Sequence, residues 1–507
     1  MPRSKKERGF FQKVSDNMDE KTNKKNLICF PVGTIGRDMV YALVTNYMLT
    51  FILFAIGPTA PQLAAITAIM VAMRVFDALN DPIMGNIVDR TRTKWGKFKP
   101  WLLIGILTTS VVIYLMFNPM LEGWGFVWYF GILYFMYSIT YTMHDISFWG
   151  MIPSLGTDAN SRDKFTSRTN LCAGIGGTLL TIVLPILTTG KNAIGGSAIT
   201  AYGFVALGIA IIAPAFLMIT IFGVHEDRSY EKEEVPPISL KKIWKTITGN
   251  DQLLWISLIF LLQQIGNDMI LGGVGSTYIY FEFGYSGGLY STFSTVGMVA
   301  TAFLMIFYPM ISKKINRKPL MKIMMIAAIL GYVMMLAAGL LLPHGAMLKF
   351  WIITIGFMVA NFGQYGFYLI MMISILNTVE YNEYKTGNRD DAIIASIRPF
   401  FTKLASAVCV AFTSLSYIIF KLTDLTNQIS TFESKAAQGV ITDEVKAASI
   451  EGVIESAGNG QIVGLLITMI AISFVFMAAS YVLYKRHYKL DEDEFERICG
   501  ELEAKKA

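Results

Sequence analysis

Long apolar segments alternate with short polar ones along almost the whole chain. Because a run of 18 or more apolar residues can span the hydrocarbon core of a bilayer as a helix, each such segment predicts a membrane helix. Strands of a membrane barrel are about half as long and alternate in polarity, which these segments do not. The predicted segments are 30–57, 60–89, 100–120, 125–155, 169–189, 200–223, 252–283, 289–312, 320–342, 348–378, 392–421 and 461–484.

Composition and charge agree with this pattern. Of the 507 residues, 53% are hydrophobic and 16% are charged, against roughly 25% charged in soluble domains. The net charge of +6 does not indicate nucleic-acid binding, because the Lys and Arg residues gather in short connections on one side of the predicted helices. Basic connections of this kind mark the cytoplasmic side. We therefore expect a multi-pass protein of a cell membrane, surrounded by lipid, with both termini cytoplasmic and no nucleic-acid partner.

The chain is predicted to consist of two related halves. "IGRDM" at 35–39 recurs as "IGNDM" at 265–269, and a proline followed by a basic turn recurs at a similar offset. Duplicated halves around a midplane site are typical of transporters. The predicted organisation is a cytoplasmic tail 1–26, a six-helix bundle 27–223, a cytoplasmic linker 224–251, a second six-helix bundle 252–485 with a long extracellular loop 422–460, and a cytoplasmic tail 486–507.

Charged residues inside apolar segments are candidate functional residues, since each costs roughly 2.5–3.5 kcal/mol at a helix centre on insertion scales. Asp77 and Asp81 are four residues apart and share one helical face. Two carboxylates so placed repel unless a cation lies beside them, which predicts a site for a hard cation such as Na⁺ or H⁺. The alternative is that Arg74 simply neutralises Asp77. One arginine does not offset both carboxylates together with Asp38 and Asp145.

A second stripe of polar and aromatic side chains lies in "YTMHDISFWGMIP". Thr142, Asp145 and Trp149 follow one helical face, with Tyr141 one turn before Asp145. A carboxylate accepts hydrogen bonds from sugar hydroxyls, and a flat aromatic ring can cover the apolar face of a sugar. We interpret the stripe as one wall of a binding cavity. The alternative for Trp149 is an anchor at the membrane interface.

The second half contributes Asp268 and Lys403 within its apolar segments. Lys403 lies well inside its segment and requires a partner, for which the acids of the first half are candidates across a cavity. The alternative is a lysine whose chain extends to the membrane surface.

Four motifs together resemble a known family. "DALNDPIMGNIVDRTRTKWGKFKPW", "GRDM", "YTMHDISFW" and "NTVEYNEYKTGNRDD" are similar to the signatures of the glycoside–pentoside–hexuronide:cation symporters, the melibiose permease family of the major facilitator superfamily. The resemblance covers roughly residues 27 to 485. It implies an all-α polytopic membrane protein with twelve transmembrane helices in two pseudo-symmetric six-helix bundles.

The implied function is symport of a sugar or glycoside with Na⁺, Li⁺ or H⁺ by alternating access, without catalysis and without a cofactor besides the coupling cation. We expect a monomer in a bacterial plasma membrane. By resemblance, the cation site consists of Asp77, Asp81, Thr142 and Asp145. By resemblance, the substrate site consists of Arg37, Asp38, Tyr141, Asp145, Trp149, Arg168 and Lys403.

Three departures from melibiose permease bear on the sugar, since Arg37 replaces a lysine, Asn377 replaces an acid and His144 replaces an apolar residue. Three rival functions remain at this point. A Na⁺-coupled lysolipid transporter and a nontransporting sugar sensor would keep the same fold. An intramembrane enzyme is the third, but the chain has no HExxH motif and no P-loop, and one histidine within the apolar segments is not a metal-ligand set.

Overall fold

The computed structural model describes residues 20–155, 159–226, 245–246, 248–312, 314–388 and 391–506, and within them the chain forms helices and no strand. The predicted all-helical class is confirmed. The predicted tail up to residue 19 and most of the predicted linker, 227–244, lie outside the described residues. The helices are α1 Glu20–Phe51, α2 Ala60–Arg90, α3 Lys99–Met116, α4 Gly123–Leu155, α5 Ala159–Thr188, α6 Ala198–Gly223, α7 Asp251–Met269, α8 Gly275–Phe283, α9 Gly287–Ser312, α10 Arg317–Leu341, α11 Met347–Thr386, α12 Asp391–Ile419, α13 Leu422–Ala437, α14 Asp443–Glu455, α15 Asn459–His487 and α16 Glu492–Lys506.

Most of the predicted membrane segments coincide with a helix that can cross a membrane. Ten helices in the described part of the chain are long and apolar enough to do so. Two further predicted segments correspond to α4 and to α7 with α8. Tyrosine and tryptophan lower the mean hydropathy of α4, and amide and acidic side chains lower that of α7. The polar residues that weaken the membrane signal are therefore the same ones that attract functional interest.

Several helices are longer than their apolar segments. The first begins at Glu20, ten residues before the predicted start, and α11 continues to Thr386. Hydropathy marks only the part of a helix that lies in lipid, whereas backbone hydrogen bonds continue into polar sequence.

The segment 422–460, expected as a loop, is instead a pair of helices, α13 and α14. Its apolar residues lie on one face, where Leu422 and Ile429 are buried. A helix with one polar face has a low mean hydropathy, so hydropathy predicts neither helix.

Small residues allow the helices to approach closely. A Cβ atom at Gly36 of α1 would lie 2.5 Å from the Cα of Ala213 in α6. One at Gly331 of α10 would lie 2.3 Å from the backbone nitrogen of Ala360 in α11. Lipid supplies no hydrophobic force between helices, so close packing of small residues stabilises the bundle instead.

The two halves contact each other directly near one end of the bundle. We call this the distal end; it carries the connections 57–59, 189–197 and 284–286. The Thr50 and Ser276 hydroxyls lie 3.4 Å apart, and those of Thr189 and Tyr280 lie 3.3 Å apart. Ser291 donates to the carbonyl oxygen of Ile182 at 2.8 Å. The charged residues described next lie deeper, along the middle of the helices.

Candidate functional site

An ion pair joins the two halves in the middle of the bundle. Lys403 of α12 places its Nζ atom 2.5 Å from Oδ2 of Asp81 in α2. Thr142 of α4 donates to Oδ1 of the same carboxylate at 3.4 Å. Asp81 therefore lies where three helices meet. The expectation that Lys403 contacts an acid of the first half is confirmed by this geometry.

Asp77 lies one turn before Asp81 and is 8% exposed. Its Oδ1 atom accepts no hydrogen bond, and among the described residues no ion pair within 4.0 Å joins it to Arg74. The Lys403 ammonium attracts both aspartates. Pro82 lacks an N–H group, so the carbonyl of residue 78 loses its helical donor between the two acids. This stretch of α2 therefore presents oxygen acceptors that are only partly satisfied.

A second network centres on Arg37 of α1, which is 2% exposed. Its guanidinium donates to Asp38 at 2.8 Å and also to Asp145 of α4. Thr34 donates to Asp38 at 2.5 Å. One arginine thus holds two carboxylates in fixed positions across the α1–α4 contact, and both keep free lone pairs.

Aromatic rings border this network. The Arg37 guanidinium lies 4.9 Å from the ring centroid of Phe148 and 5.1 Å from that of Trp149. The ring centroid of Tyr141 lies 5.8 Å from that of Tyr41 in α1. The contact between the Arg37 guanidinium and the Trp149 indole is favourable. It supports the interpretation of Trp149 as part of a cavity wall and not as an anchor at the membrane interface.

Arg168 is the one candidate that the structure leaves apart from the others. It is exposed in α5 and donates to the carbonyl oxygen of Leu27 at 3.2 Å. Leu27 precedes Arg37 along α1 by about 15 Å at the usual helical rise. A role for Arg168 in substrate binding remains a prediction.

The sequence pattern indicates Asp268 but not the amide side chains that hold it. Gln264 donates to this carboxylate at 3.1 Å and Asn267 donates at 2.9 Å. The sequence signal that indicates this cluster is the presence of three polar residues within five positions of an apolar segment. Within the described residues, no group of three or more His, Cys, Asp or Glu side chains forms a metal cluster. The carboxylates of the first half lie instead as two pairs, and Asp268 is a single carboxylate among amide groups.

A helical bundle with charged residues facing one another between two halves is the arrangement of a membrane transporter. The chain belongs to the MFS/sugar transport protein family, whose model matches residues 29–487. This confirms the resemblance to the glycoside–pentoside–hexuronide:cation symporters. The family consists of membrane transport proteins and not of enzymes.

Two relatives and one solved structure illustrate the likeness. The lactose permease of Leuconostoc lactis is 30% identical over 403 residues, covering 75% of this chain and 60% of the relative. The raffinose carrier protein of Pediococcus pentosaceus is 28% identical over 426 residues, covering 77% of this chain and 62% of the relative. This chain therefore spans less than two thirds of the length of either relative.

The structural likeness concerns the fold alone. The crystal structure of a bacterial homologue of the human lysosomal transporter Spinster, in an inward-facing and unoccupied conformation, has a TM-score of 0.62 at 11% identity. The likeness covers 93% of this chain and 100% of that one. Together with the family match, it confirms the major facilitator fold.

Proposed function

We propose that this protein is a secondary active symporter that couples uptake of a sugar or glycoside to a cation by alternating access. The observation that carries the proposal is the ion pair between Asp81 and Lys403, which links the two halves. It lies one turn from Asp77, whose Oδ1 atom has no hydrogen-bond partner. A site that joins the halves is one that can respond when they rock against each other.

The coupling cation is Na⁺, Li⁺ or H⁺, held by Asp77 and Asp81 with Thr142 and Asp145 nearby. In its absence the Lys403 ammonium neutralises Asp81. A bound cation takes over that role, because two positive charges beside one carboxylate repel each other. The released ammonium is then available to a substrate hydroxyl. Each ligand thus favours the other, a reciprocal coupling of typically 1–3 kcal/mol.

The sugar binds to the network around Arg37. Asp38 and Asp145 have unused lone pairs for sugar hydroxyls, while Arg37 donates and Trp149 covers an apolar ring face. Tyr141 completes the wall. The names of the lactose permease and the raffinose carrier support a sugar as the substrate class.

The proposal also covers the moving parts, the orientation in the membrane and the oligomeric state. The bundles 27–223 and 252–485 rock around the site, with the termini in the cytoplasm and the distal end outside a bacterial plasma membrane. One chain contributes both Asp81 and Lys403 to the site, so we propose a monomer as the working unit, with lipid around it.

Two measurements test the proposal. A thermal-shift screen with glycosides, pentosides and hexuronides, with and without Na⁺, should find a sugar that raises the unfolding temperature. Proteoliposomes should then accumulate that sugar only under an imposed Na⁺, Li⁺ or H⁺ gradient. Sugar binding without counterflow would indicate a sensor instead, and cation-dependent movement of a lysolipid without sugar uptake would indicate a lysolipid transporter.

A further inference from the structure

The internal repeat assigns a counterpart to Asp38 that the proposed function does not use. Asp38 is the fourth residue of "IGRDM" in α1, and Asp268 is the fourth residue of "IGNDM" in α7. Both lie at nearly the same distance from the first residues of their helices, Glu20 and Asp251. If the two halves are related by the usual pseudo-two-fold axis, the two carboxylates face the same central space from opposite halves.

The two carboxylates differ in the groups that hold them. Asp38 is paired with the Arg37 guanidinium. At the position that matches Arg37, the second half has Asn267, a neutral donor. Asp268 receives hydrogen bonds from this amide and from Gln264, both on its own helix. Its charge is therefore not cancelled by its hydrogen-bond donors.

The same cluster contains acceptors without partners. Gln264 is 7% exposed, and its Oε1 atom has no hydrogen-bond partner. The Oδ1 atom of Asn267 is buried and has none either. A buried acceptor without a donor destabilises the structure, so a donor-rich ligand is favoured here. The helix also widens into a π-helical turn at Ile270–Val274, and such turns are frequent at functional sites.

The cluster lies across the interface from the first half. Helix α1 contacts the π-helical turn Ile270–Val274. The Arg74 guanidinium of α2 attracts the Asp268 carboxylate. The Thr50 and Ser276 hydroxyls lie side by side, and at the usual helical rise Asp38 is about 18 Å along the chain from Thr50 and Asp268 about 12 Å from Ser276. The difference between these distances is comparable with the length of one sugar ring.

We propose that Asp268, Gln264 and Asn267 form a second subsite that accepts hydroxyls from another ring of the substrate. This inference rests on the proposed sugar transport and makes it more specific. The substrate class is a disaccharide or longer glycoside. One ring lies at Asp38 and Asp145, and the next lies toward the distal end against Asp268.

A second cation site is the competing occupant of this cluster. Asp268 is a single carboxylate already solvated by two amides, whereas the proposed cation site has two carboxylates one turn apart. The Arg74 guanidinium, which attracts the Asp268 carboxylate, would repel a second cation placed beside it. The three oxygen acceptors suit neutral hydroxyl donors better, and the cation becomes an outcome of the test.

The experiment compares substrates that differ only in ring number. The full chain is titrated with a monosaccharide methyl glycoside and with a disaccharide that has the same terminal ring, both chosen from the wild-type screen. In Asp268→Asn, the preference for the disaccharide should fall by about 10-fold to 100-fold, because an amide donates where the hydroxyl needs an acceptor. Asp424→Asn, the same change at an exposed position of α13, should keep the wild-type preference.

Other outcomes separate this inference from the proposed function. Wild-type protein that binds no sugar would overturn the proposed function itself. An unchanged preference in Asp268→Asn would overturn only the second subsite. Loss of the cation dependence of monosaccharide binding would also overturn it, since Asp268 would then belong to a cation site. If Asp268→Asn does not fold, Asn267→Ala carries the test, with a smaller fall expected and an unchanged preference contradicting the inference.

Discussion

At the scale of single residues, Asp38 is the group on which sugar binding is proposed to depend most. It accepts hydrogen bonds from Thr34 at 2.5 Å and from Arg37 at 2.8 Å, and it retains lone pairs for a ligand. In Asp38→Asn we expect sugar affinity to fall by about 10-fold to 100-fold, since the amide donates where an acceptor is needed. Calorimetric titration with sugar and, separately, with cation measures both affinities. The cation should still bind, because Asp77 and Asp81 remain.

The control for this change is Thr34→Ala, which removes a hydrogen bond to Asp38 but keeps its charge. It should weaken sugar binding less than Asp38→Asn. Wild-type sugar affinity in Asp38→Asn would show that the carboxylate does not hold the substrate.

Trp149 gives a second prediction at this scale. If its indole covers a sugar face, Trp149→Ala should weaken sugar binding by about 1–3 kcal/mol, and Trp149→Phe should retain part of the affinity. Trp124→Ala is the matched control, since Trp124 lies in the same helix near the distal end and is 54% exposed. Equal sugar affinities for Trp149→Ala and Trp124→Ala, measured by titration, would identify Trp149 as an anchor or packing residue.

The sequence predicts site residues through spacing and charge. The four-residue interval between Asp77 and Asp81 and the stripe through Asp145 follow from helical geometry alone. The bridge from Arg37 to both Asp38 and Asp145 does not, because it depends on how closely α1 and α4 pack. Partners on different helices are set by three-dimensional packing that a single sequence does not encode locally.

At the scale of elements, the helix pair α13–α14 closes over the distal end of the first half. Glu433 is 0% exposed and accepts a hydrogen bond from the backbone nitrogen of Ala198 at 2.7 Å. Lys446 is 1% exposed, donates to the carbonyl oxygen of Gly196 at 2.6 Å and lies 3.6 Å from Glu433. The desolvation of both groups offsets much of the attraction within a buried ion pair of this kind.

The helix pair predicts a pH dependence of stability. Burial raises the pKa of Glu433 above 4.5, although the Lys446 ammonium and the Ala198 N–H group oppose the shift. Protonated Glu433 therefore stabilises the folded state. This contribution to the free energy of unfolding is fully present below about pH 4.5 and is lost as the pH rises through the raised pKa. Glu433→Gln should remove this part of the pH dependence of the unfolding temperature.

Thermal unfolding of both proteins from pH 4 to pH 8 measures the difference. The exposed Glu444→Gln on α14 serves as the control and should follow the wild-type profile. Parallel profiles for wild type and Glu433→Gln would mean that Glu433 has an ordinary pKa in the folded protein.

Elements were predictable to the extent that they are apolar on all sides. The membrane helices follow from hydropathy, but α13 and α14 do not, because each has one polar face. The π-helical turns at Ile52–Ile56 and Ile270–Val274 have no local sequence signal that distinguishes them from α-helix. Each turn contacts a helix of the other half, the first turn α13 and the second α1.

At the scale of the whole molecule, the two-halved architecture follows from the repeat of "IGRDM" and "IGNDM" together with the number of apolar segments. The pairing of Asp81 with Lys403 joins positions 322 residues apart. The sequence therefore predicts that Lys403 has an acidic partner, but it does not indicate which acid that is. The pairing makes the contact between the halves a part of the proposed cation site, as the proposed coupling requires.

The most direct test of cation coupling is Asp81→Asn. The change removes one formal charge from the site and leaves Lys403 without its carboxylate partner, so a bound cation is no longer offset. The measurement is sugar accumulation in proteoliposomes under an imposed Na⁺, Li⁺ or H⁺ gradient, beside sugar exchange without a gradient, with Asp424→Asn as the matched control. We expect accumulation to be lost while exchange is affected less, and the cation should no longer raise sugar affinity. Accumulation at the wild-type level in Asp81→Asn would contradict the account and place the coupling site elsewhere.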